Sequence, residues 1–363
     1  MKNSFGNNLT VTLFGESHGP YIGAVLDGLS PGILIDDAYI KHQLDLRRPY
    51  GKIATKRVEE DAYDIVSGVY QGRTTGTPLC ILIPNTKMHS GDYDEHMIRP
   101  GHADYTANCK FRGFEDHRGG GHFSGRITAA LVAAGAIAQR ALMEKDIVIG
   151  THILKLQGIS DRGFEDIQAD IAYISEQAFP VFHPAAKEGM EEEILSVAQR
   201  GDSIGGILES AILGMPAGVG EPWFDSVEGM LSHALYSIPA IKGVQFGLGF
   251  DGCAYYGSEY NDPFRYENEK VVTSSNHNGG INGGITNGMP IIFRTAVKPT
   301  PSIYTKQDSI DIKKKENTSI QIKGRHDPAI IHRARVVVDS VSALVMFDIL
   351  LGRFGTDYFM PAD

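Results

Sequence analysis

The clearest pattern of apolar positions lies in residues 126–144, where seven alanines stand among larger apolar residues with few polar interruptions. Small residues all around a helix indicate burial between structural layers, so this pattern predicts a buried helix. Weaker helical periodicity predicts four more helices. They lie from Asp36 or Asp37 to about residue 46, at residues 186–200 and 226–236, and from just after Asp327 to about residue 351.

Short apolar runs bounded by glycine or proline predict strands. They lie at residues 9–14, 65–69, 79–83, 207–213, 243–248 and 290–296. Strands and helices follow one another without the regular alternation of a parallel sheet, which favours an α+β fold with antiparallel pairing. No low-complexity linker or repeat divides the chain. We therefore expect residues 1–363 to form a single domain.

The composition is that of a globular protein, with 42% hydrophobic and 21% charged residues. Glycine is unusually frequent, 42 of 363 residues, and predicts a loop-rich active site where backbone approaches ligands closely. Three cysteines without CxxC spacing predict neither a disulfide framework nor a zinc knuckle. With no signal-peptide pattern and no apolar run of about 18 residues, we expect a cytoplasmic protein that does not enter a membrane.

The formal net charge of −10 argues against a nucleic-acid-binding surface spread over the molecule. Cationic side chains are nevertheless concentrated in two islands. The first consists of Lys41, His42, Arg47, Arg48, Lys52, Lys56 and Arg57, and the second of Lys323, Arg325, His326, His332, Arg333 and Arg335. Such islands in an acidic protein fit a focused site for a small polyanion, although solvated charged faces have the same composition.

Residues 118–126 (RGGGHFSGR) carry four glycines directly before the predicted alanine-rich helix. Bare backbone N–H groups at a helix start form a receptor for phosphate, and the alternative is a flexible surface turn. Residues 247–252 (GLGFDG) match the dinucleotide-binding glycine pattern. The aromatic, proline-ended segment that follows is not the helix that such a site requires, so we do not predict a Rossmann site.

His18 and His102 lie in loops rich in glycine and proline, where an exposed imidazole can move protons, although a structural role is equally compatible with the pattern. Asp327 stands at the position of a helix N-cap, before Pro328. A cationic neighbourhood makes its carboxylate available as a base. No HExxH pattern or paired His/Cys spacing is present, so no metal site is predicted.

Two further segments have the composition of ligand contacts. Residues 276–288 contain too many glycines for a regular element, which predicts either a mobile lid or backbone that packs flat against an aromatic cofactor. Residues 298–302 (KPTPS) add a cation and hydroxyls on a stiff turn, which fits a phosphate or flavin contact or an ordinary surface turn.

Together these residues resemble the chorismate synthase family. Its three signatures recur in order at residues 14–19 (FGESHG), at residues 99–126, which begin RPGHADY and end GHFSGR, and at residues 323–328 (KGRHDP). Shorter matches lie at residues 44–49 (LDLRRP), 201–205 (GDSIG), 216–222 (PAGVGEP), 275–280 (SNHNGG) and 298–300 (KPT). The resemblance covers essentially the whole chain.

The resemblance implies an anti-1,4-elimination of phosphate from 5-enolpyruvylshikimate 3-phosphate, which yields chorismate and requires reduced FMN without net redox change. It implies a layered sandwich with helices between antiparallel β-sheets, assembled as a homotetramer. His18 would protonate the leaving phosphate, His102 the reduced flavin, and Asp327 would take a proton from it. The implied substrate-binding residues are Arg47, Arg48, Arg126 and Arg325. The implied FMN contacts are His122, Phe123, Ser124, Pro239, Ala240, Gly283, Lys298, Pro299, Thr300, Pro301, Ser302 and Arg325.

The chain departs from the family pattern at His122 and Phe123, where the family has arginine and serine. The sequence leaves open whether the protein reduces its own flavin with NADPH, through Arg47 and Lys52, or relies on an external flavin reductase. Two other functions remain: an FMN-dependent oxidoreductase or flavin reductase, and an inactive paralogue that binds FMN and a phosphorylated ligand.

Overall fold

The computed structural model describes residues 2–49, 51–54, 61–86, 96–322 and 326–361. Its helices are α1 Asp37–Leu46, α2 Asp104–Phe111, α3 Thr128–Met143, α4 Ile167–Ser175, α5 Pro184–Gln199, α6 Val227–Leu235, α7 Gly257–Tyr260 and α8 Ile331–Phe354. Its strands are β1 Ser4–Phe5, β2 Thr10–Gly15, β3 Tyr21–Asp27, β4 Asp64–Ser67, β5 Val69–Tyr70, β6 Arg73–Thr74, β7 Leu79–Pro84, β8 Val148–Leu156, β9 Ile159–Ser160, β10 Gly206–Leu213, β11 Ile241–Phe246, β12 Phe264–Glu267, β13 Lys270–Thr273, β14 Ile281–Asn282, β15 Ile285–Thr286, β16 Ile291–Val297, β17 Gln307–Asp311 and β18 Glu316–Ile320.

Two five-stranded sheets form the framework. The first has the strand order β1-β2-β3-β7-β4 and the second the order β11-β16-β10-β8-β9. Neighbouring strands in both sheets pair in antiparallel fashion. This confirms the predicted α+β class. The short pairs β5-β6, β12-β13, β14-β15 and β17-β18 are separate hairpins.

The core is centred on the contact between α3 and α8. α3 also contacts β3 and β7 of the first sheet, while α8 contacts β8 and β10 of the second. The helices approach closely, since a Cβ on Gly135 of α3 would lie 2.3 Å from Cβ of Ser340 on α8. The predicted burial of the alanine-rich helix is confirmed. Gly125–Met143 is long and apolar enough to cross a membrane, but 78% of this window is buried inside the protein, as in a core helix.

Most predicted elements are present within one or two residues of the expected bounds. The predicted strand at residues 65–69 is divided into β4 and β5, because Gly68 has a φ of 81° and turns the chain against Leu79. Two central strands, β3 and β8, were not among the predicted ones. Gly23 of β3 lies directly under the ring of Phe14 on the neighbouring strand β2. The Phe14 ring therefore covers a position where β3 has no side chain of its own.

The prediction that Asp327 caps the last helix is wrong. The N-cap residue of α8 is Ile330, and the Asp327 carboxylate pairs with Arg333 instead. The Pro328 carbonyl accepts a hydrogen bond of 2.8 Å from the N–H of Ile204. This carbonyl bonds to a residue outside the helix. The hydrogen bonds of α8 therefore begin at Ile330 and not at Pro328, where the Asp-Pro pair predicted the first turn.

Candidate functional site

A tight glycine loop between α2 and α3 lies at the centre of the site. Gly119, Gly120 and Gly121 have φ values of 60°, 89° and 53°, in the left-handed region that favours glycine. A Cβ on Gly119 would lie 2.2 Å from Cε1 of His18, and one on Gly120 would lie 3.1 Å from Cε1 of His102. The loop therefore seats both histidines against bare backbone.

The packing bears on both interpretations that the sequence allowed for the loop. The N–H of Gly120 donates to the His117 carbonyl (3.2 Å) and that of Ser124 to the Gly121 carbonyl (3.4 Å), so these two N–H groups are not available to phosphate. Gly120 and Gly121 are buried, so the loop is not a flexible surface turn. Close approach of side chains to the backbone is the reason for the glycines.

A cleft of about 280 Å³ with a cationic lining lies beside this loop. Its charged lining residues are Arg47, Arg48, Arg126, Arg333, Asp61 and Asp327, and His18 lines it as well. Three of these arginines belong to the predicted substrate-binding set. Because the arginines outnumber the carboxylates, the cleft suits a small polyanion.

Asp61 organises two of the arginines. It is 5% exposed, and its carboxylate pairs with Arg47 (Nη1 to Oδ2, 3.1 Å) and with Arg126. Arg47 also donates from Nε to Thr128 Oγ1 (2.9 Å) and from Nη2 to the Gly125 carbonyl (2.8 Å). A shared carboxylate offsets the repulsion between the two guanidinium groups and fixes their geometry, so both are preorganised for an anion.

His18 lies in the cleft with only 8% of its surface exposed. Its Nδ1 is 2.9 Å from Oγ of Ser17, and this hydroxyl donates to the Arg118 carbonyl (3.2 Å). The hydroxyl therefore accepts from Nδ1–H. The N–H of Ser17 donates to the Gly121 carbonyl (3.1 Å), which ties the imidazole to the glycine loop.

His102 is held from behind by an aspartate. Its Nδ1 lies 2.6 Å from Oδ1 of Asp104, and Arg99 donates to both carboxylate oxygens, from Nη2 to Oδ1 (2.7 Å) and from Nε to Oδ2 (2.8 Å). Burial raises the pKa of the Asp104 carboxyl, but hydrogen bonds from His102 and Arg99 outweigh it and hold the pKa well below the usual range. The ionised carboxylate is a lasting acceptor beside the imidazole.

Asp327 lies at the boundary between the arginine cleft and a second, larger cavity, and it lines both. Its carboxylate pairs with Nη1 of Arg333. Nε of Arg333 donates to the Arg47 carbonyl (2.7 Å) at the end of α1. This chain of contacts fixes the carboxylate relative to the arginine cleft.

The larger cavity measures about 880 Å³ and has mainly apolar walls. Of the predicted cofactor contacts, it is lined by His122, Phe123, Ser124, Pro239, Ala240, Lys298, Thr300, Pro301 and Ser302. His102 lines it as well, and Ser124, Pro239 and Asp327 lie on both the cavity and the cleft. An apolar space of this size with a few polar groups at its rim suits a flat aromatic cofactor.

The turn at residues 298–302 closes one end of this cavity. Nζ of Lys298 donates to the Gly101 carbonyl (2.6 Å), and its N–H donates to the Ala240 carbonyl (2.9 Å). Ala240 has a φ of 75°, a strained value of the kind found at functional sites. Oγ1 of Thr300 is buried and has no hydrogen-bond partner among the described residues. An ordered water or a ligand in the cavity would supply its partner.

The two residues that depart from the family pattern both face this cavity. Nδ1 of His122 donates to the Gly15 carbonyl (2.8 Å), which fixes the ring to the end of β2. Phe123 is 40% exposed and makes an edge contact with Phe111, with ring centroids 6.1 Å apart. An imidazole and a phenyl ring thus take the positions of the family's arginine and serine.

Three predicted site residues among those that the structure describes are not brought to the cavity walls, and a fourth lies outside the described part of the chain. Pro299 lies between lining residues without lining the cavity itself, and Gly283 lies at the tip of the β14-β15 hairpin. Lys52 is exposed on a 3₁₀ turn that also includes Ile53, and Arg325 lies outside the described residues.

The glycines of residues 276–288 have a packing role that neither predicted alternative included. A Cβ on Gly279 would lie 2.6 Å from the backbone N of Gly247, and one on Gly280 would lie 2.5 Å from the Pro290 carbonyl oxygen. The segment is a hairpin pressed against other backbone, so it is neither a free lid nor a face laid against the cavity.

The second basic island does not form one surface. His332 and Arg335 are buried in the face of α8 that packs in the core, 0% and 2% exposed, so their inclusion in an anion site is wrong. Burial lowers the pKa of His332 to about 4 and also lowers the pKa of Arg335. Arg335 donates to the Gln177 carbonyl (2.8 Å) and lies 3.7 Å from Asp339. Lys323 and Arg325 lie outside the described residues, as do Lys56 and Arg57 of the first island.

Four residues of the site were missed as functional by sequence reasoning: Ser17, Asp61, Arg99 and Asp104. Ser17, Arg99 and Asp104 flank the two histidines within the signature motifs, so a search for hydrogen-bond partners next to each histidine would have found them. Asp61 has no such signal, because its partners Arg47 and Arg126 are distant in the chain. Arg333 was included only as a member of the second basic island.

The chain is similar to chorismate synthases over nearly its whole length. The family model for chorismate synthase matches residues 9–351. The chorismate synthase of Methanosarcina barkeri (strain Fusaro) is 45% identical over 354 residues, which cover 96% of each chain. That of Dehalococcoides mccartyi (strain BAV1) is 43% identical over 356 residues and 97% of each chain. A solved structure described as a crystal structure of chorismate synthase superposes with a TM-score of 0.75 at 28% identity and covers 96% of this chain and 94% of that one.

Proposed function

The chain belongs to the chorismate synthase family, and from that premise we propose how its residues share the reaction. It catalyses the elimination of phosphate from 5-enolpyruvylshikimate 3-phosphate to give chorismate, the last step of the shikimate pathway. One observation carries the assignment of the site: the arginine cleft and the apolar cavity adjoin, since they share lining residues, and His18, His102 and Asp327 line these two spaces.

The substrate carries two carboxylates and a phosphate, and we assign these anions to the arginine cleft. Arg47 and Arg126 are preorganised by Asp61, and Arg48 and Arg333 complete the described lining. Guanidinium groups suit this role because they pair with carboxylate and phosphate in a bidentate manner. His18, beside the same cleft, is the group that we assign to protonation of the leaving phosphate.

The larger cavity fits reduced FMN, our proposed cofactor. Its walls are mainly apolar, the hydroxyl of Thr300 has no partner among the described residues and can bond a polar ligand group, and Lys298 adds a cation at the rim. When bound, reduced FMN supplies an electron-rich ring that assists loss of phosphate and takes up the C6 proton without net oxidation. His102 exchanges a proton on the cavity side, and Asp327 accepts one where the cleft and the cavity meet.

For flavin reduction we favour an external source. Arg47 lines the cleft that we assign to the substrate, so NADPH bound there would compete with the substrate. Lys52, the other predicted NADPH contact, is exposed and lines neither the cleft nor the larger cavity. We therefore propose that an external flavin reductase or reductant supplies reduced FMN. An assay with NADPH as the sole reductant tests this point.

We propose that the helices form a layer between the two sheets within a single domain, since α3 contacts the first sheet, α8 contacts the second, and the two helices pack together. We also propose a cytoplasmic homotetramer. Large aromatic side chains exposed at the surface support self-association. They include Trp223 (86% exposed), Phe224 (94%), Phe250 (83%), Tyr256 (78%) and Tyr266 (81%). Light scattering coupled to gel filtration tests the assembly.

The function is tested anaerobically with chemically reduced FMN and 5-enolpyruvylshikimate 3-phosphate. We expect equal amounts of phosphate and chorismate, and we expect His102→Ala and Asp327→Asn each to lower the rate at least about tenfold, as loss of an acid or base does. His183→Ala, which removes a histidine paired with Asp161 away from both spaces, is the matched control and should retain the wild-type rate.

The outcomes separate the remaining functions. Phosphate release that requires one equivalent of NADPH per turnover would indicate an oxidoreductase. Binding of FMN and substrate without phosphate release would indicate an inactive paralogue. Wild-type rates in both His102→Ala and Asp327→Asn would refute the roles assigned to these residues.

A further inference from the structure

We infer that Asp104 is a positioning residue that, together with Arg99, fixes the tautomer of His102. The inferred tautomer carries its ring proton on Nδ1, so that Nε2 is the atom that exchanges a proton with the cavity. This inference rests on the role proposed above for His102. The contacts from which it is argued lie within residues 99–120.

The hydrogen-bond geometry decides where the ring proton lies. His102 Nδ1 and Arg99 Nη2 converge on the same oxygen, Oδ1 of Asp104, at 2.6 and 2.7 Å, and the two nitrogens are 3.1 Å apart. A guanidinium has no acceptor, and the carboxylate has no proton to give. The only arrangement that satisfies all three groups has Nδ1–H donating to Asp104.

The carboxylate is itself rigid. Its second oxygen accepts from Nε of Arg99 (2.8 Å) and from the backbone N–H of the same residue (2.9 Å). Asp104 is the first residue of α2, where the helix dipole favours a negative charge. The N–H of His102 donates to the Arg99 carbonyl (3.2 Å), so the ring, the carboxylate and the guanidinium form one closed unit.

The opposite edge of the ring faces the glycine loop. A Cβ on Gly120 would lie 3.2 Å from Nε2 of His102, so the absence of a side chain there leaves room beside this nitrogen, and the ring itself lines the cavity. The positive charge of Arg99 offsets the charge of Asp104. The effect of Asp104 on His102 is therefore chiefly to orient the ring and select its tautomer.

The decisive variant is Asp104→Asn, which keeps the shape but replaces one acceptor oxygen by an NH₂ group. Arg99 occupies the remaining oxygen, so the NH₂ group faces His102 and requires Nδ1 to accept. The ring proton then moves to Nε2. The matched control is Asp170→Asn, because Asp170 has the same two-point pairing with Arg162 (2.8 and 2.6 Å) and a backbone N–H donor but no histidine.

Two measurements follow. The first is the ¹⁵N chemical shifts of the histidine rings in labelled, ligand-free protein, with His102 assigned by its absence in His102→Gln. We expect Nδ1–H in the wild type and in Asp170→Asn, and Nε2–H in Asp104→Asn. The second is kcat with reduced FMN. We expect a loss of at least about tenfold in Asp104→Asn, since the wrong tautomer costs about 10⁴-fold in the serine protease triad, with the Kd for oxidised FMN within threefold of wild type.

An Nδ1–H ring in Asp104→Asn, or an unchanged kcat in that variant, overturns the inference. If Asp104→Asn does not fold, Asp104→Glu decides: an Nδ1–H ring with kcat within about tenfold of wild type supports the inference, and an Nε2–H ring overturns it. A wild-type rate in His102→Ala would instead refute the role proposed for His102. The tautomer measurement needs neither substrate nor cofactor, so it distinguishes the two failures.

Discussion

Gly119→Ala is the sharpest test of the glycine loop as the seat of His18. The added Cβ would lie 2.2 Å from Cε1 and 2.4 Å from Nδ1 of His18, and 2.5 Å from Oγ of Ser17. No side-chain rotation of alanine relieves these contacts, because Cβ is fixed by the backbone. Either the imidazole or the loop has to move.

The magnitude follows from these distances. To restore an ordinary contact, which begins near 3.4 Å, the His18 ring has to shift by about 1 Å, and a displacement of that size at a catalytic group costs about 10²-fold in rate. Alanine at a φ of 60° adds about 1–2 kcal/mol of backbone strain, which lowers stability but not the chemical step. We therefore expect kcat to fall about 100-fold with a modest loss of Tm.

Gly72→Ala separates strain from displacement. Gly72 lies in the turn between β5 and β6 with a φ of 75°, and a Cβ there would have no atom within 4 Å. The control should lose a similar amount of Tm and retain the wild-type kcat in the anaerobic phosphate-release assay. If folded Gly119→Ala turned over within threefold of Gly72→Ala, the loop would not position His18 and the reasoning would fail.

Three further predictions concern other parts of the molecule. Asp61→Asn should raise KM for the phosphorylated substrate about tenfold, because two arginines lose their shared carboxylate. The Kd for FMN should not change, and steady-state kinetics and a fluorescence titration measure the two constants. Thr300→Val should weaken FMN binding up to about tenfold, the value of one hydrogen bond, whereas Thr295→Val, which removes another buried unpartnered hydroxyl away from the cavity, should not. Burial lowers the pKa of His332 from 6.5 to about 4, so the unfolded chain binds this proton at a higher pH than the folded chain does. The free energy of unfolding should therefore fall as the pH drops from about 6.5 to 4, by up to about 3 kcal/mol, and urea titrations at pH 7 and pH 5 should show a smaller fall in His332→Asn.

The fold could be predicted where periodicity is strong. α3 is apolar along its whole length and is buried as expected. β3 and β8 gave no comparable signal, because a central strand covered on both faces lacks alternation and resembles any short apolar run. The start of α8 was misjudged for another reason. A cap depends on which carbonyl groups are already used, and the Pro328 carbonyl is taken by Ile204 from a distant part of the chain.

The reactive groups of the site could be predicted from the sequence, but the residues that hold these groups in position could not. The signature motifs led to His18, His102 and Asp327, and these residues line adjoining spaces. The glycines between α2 and α3 were interpreted as an anion receptor, since a run of bare N–H groups is a familiar phosphate site. Their contacts with two imidazoles depend on loops that are separated in the chain, and no local pattern specifies such contacts.

Two aspartates hold the basic groups of the site in the same way, which explains how an acidic protein keeps several basic side chains close together. Two carboxylates, one buried and one half-buried, each hold two basic side chains: Asp61 joins Arg47 to Arg126, and Asp104 joins His102 to Arg99. A carboxylate with two such partners cannot turn toward either one alone. These side chains are then held at fixed distances before any ligand arrives, so their ordering does not have to be driven by ligand binding. Removal of a carboxylate should therefore disturb the geometry of two basic side chains at once, and in this site the aspartates are as informative to mutate as the arginines and histidines that they hold.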